Sequence, residues 1–246
     1  MRKLSTILVV FLVLASCKKA EDRPCFKSAG DLTFKEIDVT SFDRMLLKEH
    51  VKYVLVQDTV EKVVITGGKN LVNFISVDVT DGLLTIINEN RCNFLRSYQK
   101  KVTVEIHFKT LINLEYIGTE DLTNKDTLSF GWFTMLIRDG AGPVKLNFNA
   151  DAIFATVSHG WGDFTFNGVV NHANLNVRSN GFCDTYGLKV LDSLTVISKT
   201  QGAVKINANN TVLNAETAAD GSIYYKGNPT SISYHQYGEG ELIDAN

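Results

Sequence analysis

Proline is scarce in this chain, 3 in 246 residues, and no stretch carries a sustained 3.6-residue apolar period closed by helix caps. A collagen-like or disordered chain is excluded, because 18 Gly stand beside 14 Phe and 8 Tyr. Surplus positive charge is missing too. With 25 Lys+Arg against 27 Asp+Glu the formal net charge is -2, and no basic stripe with interleaved aromatics appears. Nucleic acid is therefore not an expected partner. The apolar run Ile7–Ala15 is too short to cross a bilayer as a mature helix.

Reactive constellations are equally sparse. His107, His159, His172 and His235 are scattered, and no His-x-His or Cys-x-x-Cys spacing points to zinc. There is no Gly-x-Ser-x-Gly elbow and no nine-residue calcium repeat. No cofactor, metal or catalytic group is expected.

What is present begins with a leader. Arg2 and Lys3 precede the run Ile7–Ala15, and Leu14-Ala15-Ser16-Cys17 follows it. This is the layout of a signal peptide, and its ending resembles a bacterial lipobox. Residues 1–16 are expected to be removed and Cys17 lipidated. Residues 17–30 then read as a polar tether. Lys18 stands where an aspartate would hold such a lipoprotein at the inner membrane, so the outer membrane is the expected destination, on its periplasmic face or at the cell surface.

Export puts Cys25, Cys92 and Cys183 in an oxidising compartment. Cys25 and Cys92 both lie in irregular polar surroundings, and a disulfide between them is expected to contribute about 2–4 kcal/mol. Cys183 falls among glycine corners and is expected to be a buried or half-buried thiol.

From Val51 the chain alternates in β-branched runs. Asp81-Gly82 between Phe74–Val79 and Leu83–Ile87 predicts a tight hairpin. Residues 31–110 read as a less regular all-β half. The basic stretch Asn88–Lys101 reads as a surface loop pinned by Cys92. Residues 111–246 are different: a corner returns at positions 120, 142, 162, 183, 202, 221 and 240, in steps of 19 to 22. Recurring corners, and not only alternating strands, predict a parallel β-solenoid with coils of ~20 residues. An antiparallel sandwich is the competing architecture.

The stretches Asn70–Ile75, Asp81–Ile86 and Gly160-Trp161-Gly162-Asp163-Phe164 resemble the family of auto-transporter adhesins with a head GIN domain, common among Bacteroidetes lipoproteins. Asn88–Tyr98 resembles a segment of one lipoprotein subgroup. The corners at Pro143, Cys183 and Ala203 depart from the regular pattern. The resemblance implies a β-helical fold and brings no defined ligand or catalytic residue.

Taken in register, Asp163 and Asp184 become neighbours on successive coils, and a pair of carboxylates that close would bind a cation or share a proton. Aspartate also favours turns by bonding its own backbone. Trp161 joins them as a ring turned outward at a corner. The expected function is a lipid-anchored, non-enzymatic envelope protein that presents a binding surface to a glycan or a protein. A polysaccharide-active enzyme and a ligand-free envelope scaffold are the alternatives.

Overall fold

The structure is a computed structural model that describes residues 28–48, 50–90, 101–140 and 142–246. The leader, Cys17, most of the tether and the Cys25–Cys92 pairing lie outside the described residues.

The N-terminal half contains β1 (Leu32–Asp38), β2 (Arg44–Lys48), β3 (Val51–Gln57), β4 (Lys62–Gly68), the single turn α1 (Lys69–Val72), β5 (Ile75–Thr80), β6 (Leu83–Asn88) and β7 (Val102–Phe108). Then follow β8 (Asn113–Ile117), β9 (Leu122–Asn124), β10 (Leu128–Ile137), β11 (Pro143–Val157), β12 (Asp163–Ser179) and β13 (Phe182–Thr200). The last are β14 (Val204–Asn207), β15 (Val212–Thr217), β16 (Ile223–Lys226), β17 (Ser231–Gln236) and β18 (Leu242–Asp244).

From β8 onward every pairing is parallel, each coil laid on the one before. β10 pairs with β11, β11 with β12 and β12 with β13; the chain then continues as alternate strands, β13–β15–β17 on one face and β14–β16–β18 on another. The fold is the predicted all-β parallel solenoid, and the sandwich is set aside. The period-2 pattern explains why. Val144, Leu146, Phe164, Phe166, Val204 and Ile206 point inward and are buried, while Lys145 and Lys205 point out.

The stacking order in the N-terminal half is not the sequence order. β2 lies between β6 and β8, and β3 between β7 and β9. The first coil of the chain is thus inside the stack, and the later β6–β7 coil lies outside it. Antiparallel strands close this end: β5 on β6, β4 on β7, and β1 on β4. The β5–β6 hairpin turns through Asp81 and Gly82, whose φ values of 51° and 74° are those of the left-handed turn predicted for an Asp-Gly pair.

The glycine corners stack, but one coil is registered differently from the sequence spacing. Phe182 N donates to Gly162 O at 3.4 Å, and the column runs Gly142, Gly162, Gly181, Gly202, Gly221, Gly240. A Cβ at Gly202 would strike Gly181 O, and one at Gly221 would strike Gly202 O. Glycine is therefore required here by close approach of coils and not by positive φ. The corner position is Gly181. Cys183 sits two residues along, between Phe164 and Val204 in the core. It is buried as expected, for a different reason. Burial pushes its thiol up to about 12, so it stays protonated and inert.

Aromatic rings fill the middle of the core. Phe130 stacks on Phe133 at 4.2 Å between centroids, and Phe148 meets Phe166 at 5.2 Å and 75°. Towards the C-terminus the column turns partly polar. Ser198 Oγ donates to Gly221 O at 2.8 Å, and Thr217 Oγ pairs with Tyr234 Oη at 2.8 Å, so buried hydroxyls are satisfied.

Candidate functional site

A closed solenoid turns every second side chain outward, so its binding capacity is set by what those side chains are. One outward row crosses the face formed by β8, the second half of β10, β11, β12 and β13, and β15. In register it reads Asn113, Thr134, Phe154, Asn174, Thr195 and Asn214. Arg44 of β2 stands opposite Asn113 and heads the row. Each member alternates with buried neighbours such as Phe133 and Met135, Ile153 and Ala155, or Leu194 and Val196. The row is thus fixed by a rigid core, with coils spaced about 4.8 Å apart.

Phe154 of this row forms a ring pair with Trp132, which stands beside the row two residues before Thr134 on β10. Their centroids are 5.8 Å apart with planes 31° apart, and Trp132 is 66% exposed while Phe154 is 39% exposed. The two residues lie one coil apart, since Trp132 is registered with Ala152 and Thr134 with Phe154. At the adjoining corner Asn171 Nδ2 donates to Asp151 Oδ1 at 2.9 Å, and His172 Nδ1 lies 2.9 Å from Ser193 Oγ. Hydrogen-bonding groups therefore flank an exposed apolar surface.

The head of the row opens into a depression of about 500 Å³ lined by Asp43, Arg44, Asp81, Gly82 and Thr110 among others. Arg44 is held there by the carbonyl oxygen of Asp81 and by Asp43, whose Oδ1 lies 3.6 Å from Nε. Ile112 N donates to Asp43 O and Thr134 N to Ile112 O, both at 2.9 Å, so the depression and the row share a backbone.

The residues singled out from sequence are distributed differently. Trp161 is 66% exposed at the corner after Gly160. Asp163 is half-buried; burial pushes its carboxyl above the usual carboxylate range, with Asp121 adding to the effect and Lys145 opposing it. The register does not stack Asp163 on Asp184. Phe182 lies beside Asp163, and Asp184 lies between Thr165 and Lys205. Asp184 accepts from Tyr186 N at 3.1 Å and has Lys205 Nζ at 3.9 Å, which is a turn-forming role. The expectation of neighbouring carboxylates fails because the coil between their corners is 19 residues long, from Gly162 to Gly181. Among the described residues no group of three or more His, Cys, Asp or Glu is placed to hold a metal ion.

Another polar cluster sits outside β3, β7 and β9. His107 bridges Asp58 and Glu105 at 2.9 and 2.8 Å, and Lys125 joins Glu105 at 2.7 Å. The carboxylates occupy opposite ring nitrogens, so they staple strands and do not converge on a ligand.

The Trp132–Phe154 pair is not among the residues singled out from sequence. The signal is there in retrospect: aromatics at outward positions about one coil apart.

A family model described as "Putative auto-transporter adhesin, head GIN domain" matches residues 41–229. The chain belongs to this family. The adhesin family makes it an adhesin-like protein of the cell envelope or surface. Among solved structures, a putative adhesin of Bacteroides fragilis superposes with a TM-score of 0.75 at 23% identity, covering 86% of this chain and 96% of its own. A putative adhesin of Parabacteroides distasonis gives 0.59 at 21%, covering 87% and 96%. A second protein of that organism, named a putative lipid binding protein, gives 0.61 at 18%, covering 87% and 98%. At these identities the likeness shows the fold alone. A search of curated proteins finds no match to this chain. Among the described residues no helix is long and apolar enough to cross a membrane.

Proposed function

We propose that this member of the family is a lipid-anchored, non-enzymatic adhesin of the outer membrane, whose solenoid presents a binding face to a glycan or a protein. The observation that carries the reading is the exposed Trp132–Phe154 ring pair held on a rigid outer sheet. Leaving two rings in water forgoes the stabilisation their burial would give, about 25 cal/mol for each Å², and an exposed ring pair next to amides and hydroxyls suits a partner. The corner carrying Trp161, Asp163 and Asp184 is the second candidate surface. The leader ending in Leu14-Ala15-Ser16-Cys17 supports cleavage after residue 16, and the tether that follows runs up to Ser28 and Ala29, where Ala29 is already buried and accepts from Asn70 N at 3.0 Å.

The anchor is tested by fractionating cells that express the wild-type chain or Cys17→Ala. Wild type is expected with the outer membrane and accessible to added protease on intact cells, and the variant is expected to be released. A variant that stays membrane-bound would refute lipidation. The adhesive role is tested with cells lacking the protein, which should attach less to a host or polysaccharide surface than cells carrying it. Equal attachment would refute that role.

One observation supports a second reading. The depression brings Asp43 and Asp81 beside Arg44, the residue types a polysaccharide-active enzyme uses. Release of reducing sugar from a polysaccharide, abolished by Asp43→Asn, would establish the enzyme. No release is the outcome expected of an adhesin.

A further inference from the structure

Three features of the outer surface bear on what the ligand is. The first is the ring pair itself. Trp132 and Phe154 are tilted by 31° and not stacked face to face, so together they offer a shallow apolar floor that spans two coils. Aliphatic C–H faces pack on such a floor, whereas the surrounding exposed Thr134 and half-buried Asn174 and Thr195 offer donors and acceptors at its edge. A pyranose ring has both: apolar faces and a rim of hydroxyls.

The second feature is charge. From Asn113 to Asn214 every member of the row is uncharged. The carboxylates of the next outward row are already engaged, Glu115 by Arg138 and Glu216 by Lys199 at 3.4 Å. At the adjoining corner Asp151 is held by Asn171, and Asp192 lies 3.6 Å from His172. Among the described residues, the row between Asn113 and Asn214 itself offers no cation to a sulfated or phosphorylated polymer, and Arg138 and Lys199 further out on the face are paired with Glu115 and Glu216. It is matched to a neutral one.

The third feature is length and size. The row runs along the stacking axis, at about 4.8 Å per coil, a spacing close to the advance of one sugar in an extended chain. Its apolar part is Phe154, with the Trp132 ring packed beside it. A stable protein partner needs on the order of 800 Å² of each surface with a continuous apolar centre, which a row of amides and hydroxyls with one ring in it and a second ring beside it does not offer.

We propose that the Trp132–Phe154 platform, with Thr134, Asn174 and Thr195 beside it, is a carbohydrate-binding strip for a neutral, extended polysaccharide running along the solenoid axis. The assignment rests on the adhesin reading above and narrows it to one class of ligand and one face.

The test uses the full chain purified in detergent. The chain has only two tryptophans, Trp132 and Trp161, so Trp161→Phe leaves Trp132 as its sole indole reporter. The probes are β-1,3- and β-1,4-linked gluco-, manno- and xylo-oligosaccharides, with heparin and polygalacturonate as acidic comparators. At least one neutral series is expected to change Trp132 fluorescence saturably, with affinity rising with chain length over several sugars. Trp132→Ala, followed by calorimetry, is expected to lose at least tenfold in affinity. Asn174→Ala, which removes a rim amide and leaves the core intact, should weaken binding several-fold at unchanged circular dichroism. Binding confined to the acidic polymers, binding to none of the probes, or neutral binding unaffected by Trp132→Ala would overturn the strip. Cells that still attach through the protein under those results would leave the adhesin reading standing with a protein partner. Loss of both would remove the wider reading as well.

Discussion

Phe148 and Phe166 meet edge to face across two coils, with centroids 5.2 Å apart and planes at 75°. Phe148 also reaches Phe130 and Phe133, at 5.7 and 6.2 Å, and is fully buried. It is the point where three coils share one aromatic cluster. Phe148→Ala is expected to cost about 3–5 kcal/mol, by lost transfer free energy and by the cavity left behind. Chemical denaturation checks this. A cost below ~1 kcal/mol would mean that the coils close over the void.

Two glycines of the solenoid should respond in opposite ways to alanine. A Cβ on Gly221 would run into the carbonyl oxygens of Gly202 and Thr200, whereas one on Gly131 would meet nothing within 4 Å. Gly221→Ala is expected to destabilise by roughly 1–3 kcal/mol, because two backbones must part. Gly131→Ala is expected to be neutral or to stabilise by about 0.4–1 kcal/mol, through reduced freedom of the unfolded chain. Equal effects of the two in a thermal melt would contradict the glycine column.

Cys183 is buried, with its thiol pushed up to about 12. Iodoacetamide at pH 8 is expected to leave it unmodified in the folded protein and to label it fully in denaturant, as read by peptide mass mapping. Rapid labelling in the native state would show that the coil around β13 opens readily.

Asp163 should govern part of the acid stability profile. Burial raises its carboxyl above the ordinary value of 3.8, so the folded chain binds its proton more tightly than the unfolded chain does. The ionised form is then the costly one. That cost is absent below the unfolded pKa, appears as pH rises through the folded one, and is fully present at neutral pH. Asp163→Asn is expected to raise the melting temperature at pH 7, and the gain should disappear as pH falls below the usual carboxylate range. A loss of stability at pH 7 would show that the carboxylate makes a net favourable contact there.

Much of this molecule was legible in its sequence, for physical reasons. Inward residues such as Val144, Phe164 and Val204 announce themselves by period-2 alternation, and Gly142, Gly202 and Gly221 by the close approach they permit. The Asp81-Gly82 turn follows from a local φ requirement. The exact register did not follow. A 19-residue coil from Gly162 to Gly181 precedes one of 21 to Gly202, and irregularities in the β12–β13 pairing, between Thr165 and Asn167 and between Val170 and His172, absorb extra residues. Reading Cys183 as the corner shifted Asp184 by two places and paired it with the wrong neighbour. The insertion of β2 and β3 between later strands was hidden for another reason. Alternation fixes which side of a strand faces the core, but not which strand lies beside it. The Trp132–Phe154 pair was lost in the same way, since each ring alone resembles an ordinary corner residue.

Attachment through the face carrying Trp132 and Phe154 has a direct test on whole cells. Cells displaying Trp132→Ala, Trp161→Ala or the wild-type chain at equal surface levels should be compared for retention on immobilised neutral polysaccharide under flow. Trp132→Ala is expected to reduce retention at least tenfold while Trp161→Ala stays within about twofold of wild type. Wild-type retention by Trp132→Ala cells would contradict attachment through that face.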